Sequence, residues 1–144
     1  MMLRLLALTF ILVTTNAACA PAGPWVKLRG ETFTVEIADD AEEMQLGLMF
    51  RDSMAADHGM IFIYQDEGLR SFWMKNTRLS LDILFFNSER ELVDWHVDVP
   101  PCKTPQCPSY PSQVPARYVL ELNAGKAAEL GVEKGDILEW SLDH

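Results

Sequence analysis

From Glu31 to Ala38 the chain alternates, with Phe33, Val35 and Ile37 on one side and Thr32, Thr34 and Glu36 on the other. A period of two predicts a half-buried strand. The period then lengthens. Over "DDAEEMQLGLMFR" Asp39 or Asp40 can cap a helix, Glu42 and Glu43 fall in its first turn, and Met44 and Leu48 share a side. That pattern predicts a short helix ending between Gly47 and Phe50. A polar loop through Asp57-His58-Gly59 leads to an apolar strand at Met60–Tyr64, and Gln65–Leu69 reads as a turn. Ser71–Thr77 and Leu81–Phe86 read as two more strands, joined through Arg78–Ser80. After a hairpin-like turn at Asn87–Arg90, Val93, Trp95, Val97 and Val99 fall on one strand face, and Leu92, Asp94, His96 and Asp98 on the other.

The segment "PPCKTPQCPSYPSQVP", Pro100 to Pro115, holds six of the chain's eight prolines. This density excludes a central strand or a helix, and so long a loop is either functional or held down. Arg117–Leu122 reads as a strand. Asn123 then caps a short helix through Leu130 with Gly131 at its C′ position, or else contacts a ligand. "KGD" turns into a last strand, Ile137–Leu142. The expected fold is mostly β with two short helices: a compact antiparallel β-sandwich or jelly-roll-like arrangement, or a small barrel, in a single domain over 31–144.

The first 18 residues stand apart. Arg4 supplies a basic start and Leu5–Val13 an apolar run, followed by small residues, which is the grammar of an export signal. A run of nine residues is too short for a membrane-spanning helix, which needs about 20. In "NAAC" the signal leads into Cys19, a lipidation site in the manner of a bacterial lipobox, although Asn16 replaces the usual Leu. Cleavage after Ala20 is the alternative. Residues 19–30 then form a lipidated N-terminus and tether, the only membrane contact expected, and the protein is placed on the periplasmic side of a bacterial membrane.

Export changes the reading of the cysteines. With Cys19 lipidated or removed, Cys102 and Cys107 remain as a pair in an oxidising compartment, for which a disulfide is the natural reading. Redox chemistry would favour two intervening residues over the four present, and zinc would need further ligands at suitable spacing. The net charge of −9 argues against nucleic acid as a partner.

"GLMFR", "GMIFIY", "SFWMKNT", "LDILFF", "CPSY", "YVLELNAG" and "GVEKGD", in that order from Gly47 to Asp136, resemble the bacterial and archaeal domain-of-unknown-function family 192, uncharacterised protein family 0127. The likeness spans about Thr32 to Trp140. It implies a small β-sandwich or jelly-roll-like domain and carries no catalytic residues or cofactor with it. Ser80 departs from the proline that often precedes the Leu-Asp pair.

Several polar residues sit where apolar ones would be expected. Asp82 shares a strand face with Leu84 and Phe86, so its carboxylate must be paired, with Lys75, Asn76 or Arg117 as candidates. It is a brace between strands, a ligand contact or a catalytic acid. Trp73 beside Lys75 is either a core residue or, with Asn76 and Tyr110, the lining of a groove for a sugar or peptide. Asp94, His96 and Asp98 form either the solvated face of a strand or a cation site. Glu121 within "VLEL" fits a structural or a ligand role equally. Ligand-binding candidates are therefore Trp73, Lys75, Asn76, Asp82, Tyr110 and Glu121.

No nucleophile elbow, zinc-protease motif, phosphate loop or dinucleotide fingerprint is present, and no cofactor is implied. The expected function is a non-enzymatic binding or accessory module of the envelope, serving a small ligand, a glycan or an envelope protein. The alternatives are a hydrolase of an envelope glycan using Asp82 with Glu121, which must then share a cleft, and an envelope structural or assembly protein without a pocket.

Overall fold

Every position of the strand Leu81–Phe86 is buried, which a strand with one core face cannot achieve. The sheet around it supplies two. The computed structural model describes residues 22–142; the segment expected to be an export signal and the lipidation site expected at Cys19 lie outside the described residues. The strands are β1 (Trp25–Leu28), β2 (Glu31–Ala38), β3 (His58–Gly68), β4 (Ser71–Trp73), β5 (Leu81–Phe86), β6 (Leu92–Val99), β7 (Ser109–Pro111), β8 (Ala116–Asn123) and β9 (Glu139–Ser141). Two short helices, α1 (Ala41–Leu46) and α2 (Lys126–Leu130), complete a single mostly β domain. No helix among the described residues is long and apolar enough to cross a membrane.

Seven strands form one sheet in the order β6-β5-β8-β3-β2-β1-β9, and β4 pairs with β7 in a separate ribbon. The large sheet is mixed. Its one parallel pair, β2 with β3, requires a crossover, and α1 lies in that connection. On the inner face Phe33, Ile61, Leu84, Leu120 and Leu122 pack with Leu92 and Leu138 from the two sheet ends, so the sheet wraps around them. On the outer face Met60, Phe62, Ile83, Phe85 and Val119 lie under Leu48, Met74, Phe72 and Tyr110. Phe62, Phe72, Phe85, His96 and Tyr110 follow one another edge to face at 4.9–6.0 Å, which seats the ribbon. The sheet edges meet at an isolated bridge, Glu91 to Ile137, and no barrel closes.

Several expectations are corrected. The tether does not run to residue 30: Val26 and Leu28 alternate inward, so β1 joins the sheet between β2 and β9. The segment expected as a strand over Ser71–Thr77 stops at Trp73, because Asn76 adopts a left-handed backbone (φ 55°) and the chain turns. The proline segment contributes β7, which tolerates Pro111 because it lies in a two-stranded ribbon. Residues 65–68 continue β3 rather than turn. Strand β6 does not keep one alternation: register shifts against β5 put Leu92 and Trp95 on the inner face but Val93 and Val99 on the outer.

Candidate functional site

The Asp40 carboxylate accepts the backbone N–H groups of Glu42 and Glu43 at 2.9 and 2.8 Å, starting α1 as its sequence predicts. The helix ends at Gly47 (φ 46°), and Phe50 follows in a left-handed conformation (φ 64°). Its N–H donates to the carbonyl of Asn76 at 2.8 Å. These turns hold residues 42–50 against residues 73–77.

Between the two segments lies a cleft. Its outer basin, about 340 Å³, is lined by Leu46, Met49, Phe50, Trp73, Lys75 and Asn76, with Glu42 and Gln45. That volume is at the small end of the range for small-molecule sites. Leu46, Phe50 and Trp73 are 50, 56 and 48 % exposed around it. The Lys75 Nζ sits 5.0 Å from the Trp73 ring centroid, a cation on an aromatic face. Below the basin is a slot of about 30 Å³ that shares Leu46, Met49 and Trp73 with it and reaches Phe62, Phe72, Thr77 and Glu121.

Glu121 reaches the slot through strand register. On β8 it stands opposite Met60 of β3 and Ile83 of β5, so its side chain points to the outer face. Close packing of β3 on β8 depends on Gly59, where a Cβ would lie 2.6 Å from the Glu121 carbonyl oxygen. The side chain is 5 % exposed, and burial raises its carboxyl to about pKa 8. No donor to it is found among the described residues.

Asp82 goes the other way. It stands opposite Leu122 and faces inward, fully buried. Its two oxygens accept the N–H groups of Asp98 at 2.9 Å and Ala127 at 2.7 Å, which pins the left-handed turn at Asp98 and the start of α2. Lys75, Asn76 and Arg117 are not its partners; Arg117 Nε donates to the Tyr64 carbonyl at 3.3 Å. Asp82 and Glu121 therefore share no cleft, and the geometry required of a two-carboxylate hydrolase is absent.

Of the six candidates from sequence, the structure brings Trp73, Lys75, Asn76 and Glu121 together and leaves Asp82 and Tyr110 out. Tyr110 lies opposite Phe72 in the ribbon, edge to face with His96. Asn123 does not cap α2, which starts from Gly125; its amide instead donates to the carbonyls of Met54 and Ala55. Nor are Asp94 and His96 a solvated stripe. Asp94 accepts the N–H of Gln113 at 2.7 Å and His96 Nε2 pairs with the Pro111 carbonyl at 2.9 Å, so both fasten the proline segment. Cys102 and Cys107, with Cα atoms 5.6 Å apart, have their sulfurs at bonding distance. Among the described residues no group of three His, Cys, Asp or Glu is placed to hold a metal ion.

Sequence reasoning missed the contribution of residues 42–50. Its signal was a pair of large apolar residues, Leu46 and Phe50, on either side of the turn at Gly47. A second polar cluster was missed as well: Arg51 donates to both oxygens of Glu36, and His58 bridges Glu36 at 3.1 Å and the Thr34 hydroxyl at 2.8 Å. The Arg51 hydrogen bond, against the cost of burial, holds the Glu36 carboxyl down at about pKa 2. With its carboxylate saturated by Arg51, this cluster ties β2, β3 and the loop between α1 and β3.

Comparison with known proteins places these features in a family. The family profile described as DUF192, Uncharacterized ACR, matches residues 25–140. A UPF0127 protein of Pyrococcus furiosus is 31 % identical over 120 residues, covering 78 % of this chain and 93 % of its own length. One from Pyrococcus abyssi is 32 % identical over 117 residues, covering 74 % and 85 %. Among solved structures, a protein of unknown function from Novosphingobium aromaticivorans superposes with a TM-score of 0.77 at 33 % identity, covering 88 % of this chain and 99 % of that one. A Sinorhizobium meliloti protein, described as a candidate transcription regulator, does so with a TM-score of 0.73 at 40 % identity, covering 86 % and 98 %. The chain belongs to the DUF192 (UPF0127) family, whose profile runs from β1 to β9.

Proposed function

We propose that this protein is an exported, lipid-anchored binding module that takes a small ligand in the cleft between α1 and β4, on the periplasmic side of a bacterial membrane. The observation that carries this reading is the combination of three exposed apolar side chains, Leu46, Phe50 and Trp73, with a buried carboxyl group beneath them. Folding alone does not favour either feature: an exposed indole gives up burial, and a buried acid without a partner costs free energy. A ligand seated on the aromatic lip offsets both. The anchor is supported by the basic and apolar leader and by "NAAC" before the first described residues.

The test is a fragment screen by NMR on the isotope-labelled protein. Bound fragments should shift the Trp73 indole and the amides of Leu46 and Phe50, and Trp73→Ala should abolish those shifts while changing stability by less than about 1 kcal/mol, since the side chain is half exposed. Fragments that map elsewhere, or a stability loss that keeps step with the binding loss, overturn the assignment. For the anchor, labelled palmitate should enter the wild type and not Cys19→Ser.

A further inference from the structure

We propose that the slot beneath Trp73 receives the ammonium group of an alkyl- or arylalkylammonium ligand, with Glu121 as its counter-ion and Phe62, Phe72 and Trp73 as its walls. This deepens the reading of the cleft as a ligand site and rests on it. Four observations converge. Glu121 is more than nine-tenths buried, lines the slot and has no donor among the described residues. The slot, about 30 Å³, holds one small group and excludes a ring. Its lining includes the aromatic side chains of Phe62, Phe72 and Trp73 and the side chains of Met44 and Met49, polarizable groups that favour a cation over an anion. Lys75 does not fill this role, because its Nζ lies over the outer Trp73 ring. The wider basin above, flanked by Leu46 and Phe50, has room for the apolar body of such a ligand.

The titratable groups around the cleft are Tyr64 from β3, Glu42 from α1 and Lys75 after β4, while β5 presents Ile83 opposite Glu121. Burial leaves the free Glu121 carboxyl protonated at neutral pH. An entering ammonium keeps its own proton and donates to the carboxylate, and the carboxyl proton leaves to solvent. Binding near neutrality therefore releases up to one proton and tightens as pH rises toward 8.

The experiment titrates the isotope-labelled protein with n-butylammonium, n-butanol and butyrate at about pH 6.5, reading cleft amides and the Glu121 side-chain carbon, with calorimetry in two buffers of different ionisation enthalpy. Butylammonium should bind about tenfold or more tighter than butanol, butyrate more weakly still, and only the amine should release a proton. Glu121→Gln should erase that preference while butanol still shifts the cleft. If the variant does not fold, proton release by the wild type decides. Butanol binding as tightly as the amine, with cleft amides shifting, overturns the ammonium assignment and leaves the cleft standing. If no probe shifts the cleft, both fall.

Discussion

Asp82 and Glu121 lie on adjacent strands of one sheet and point to its opposite faces, Asp82 level with Leu122 and Glu121 level with Ile83. Two buried acids one residue out of step thus do unlike work. The inward one is spent on two backbone amides that would otherwise be orphaned at a strained turn and a helix start. Asp82→Ala removes both charge-assisted bonds and should lower stability by about 3 kcal/mol in urea unfolding, with cleft resonances unchanged. A loss under about 1 kcal/mol would mean that those amides find other partners.

The outward acid makes stability depend on pH. The folded protein keeps the Glu121 proton up to about pH 8, whereas the unfolded chain releases it near 4.5. Between those values the native state binds more protons, so stability declines as pH rises, by on the order of 5 kcal/mol for the full shift. Glu121→Gln, neutral throughout, should remove that decline and be more stable than the wild type near pH 8. Denaturant unfolding across the window measures it. A wild-type curve that is flat there would show that Glu121 ionises freely.

Glu36 works with the opposite sign. Its carboxyl is held at about 2, first by the Arg51 hydrogen bond, against 4.5 when unfolded. The stabilisation is present above about pH 4.5 and is lost as pH falls through 2. Because the pair is partly exposed, solvent screening reduces its coupling to about 1 kcal/mol. A double-mutant cycle with Glu36→Gln and Arg51→Met should find that coupling at neutral pH and a shrinking one as pH falls through about 2.

Strands such as β2, with Phe33, Val35 and Ile37 toward the inner core, were legible because the residues between them, Thr32, Thr34 and Glu36, are polar and only partly covered. The run Leu81–Phe86 was recognisable as a strand, but the faces that bury it belong to distant residues. Bulges in β6 put Val93 and Val99 on the face opposite Trp95, against a simple alternation, and nothing local marks them. At the site, Trp73, Lys75 and Asn76 were visible because they are contiguous. Glu121 was visible only as an oddity, since its destination depends on β8 register against β3 and β5. Leu46 and Phe50 lie in the stretch read as a short helix and its end, which falls at Gly47 within the expected range, and no feature of that pattern marked them as lining a cleft.

The Cys102 to Cys107 loop closes a short span next to β7, the strand that carries Tyr110 onto the outer face. Closing six residues restricts the unfolded chain by about 2 kcal/mol in the chain-entropy picture. Reduction, or Cys102→Ser with Cys107→Ser, should therefore lower stability by about that amount and speed hydrogen exchange at Ser109 and Tyr110 more than at β5. The effect should remain local, because Asp94 and His96 independently hold Gln113 and Pro111. Alkylation and mass spectrometry of native protein should find both thiols protected, as the proposed export to an oxidising compartment requires. Free thiols in native material would count against the cross-link and equally against export, since a chain kept among cytosolic reductants has no reason to retain it.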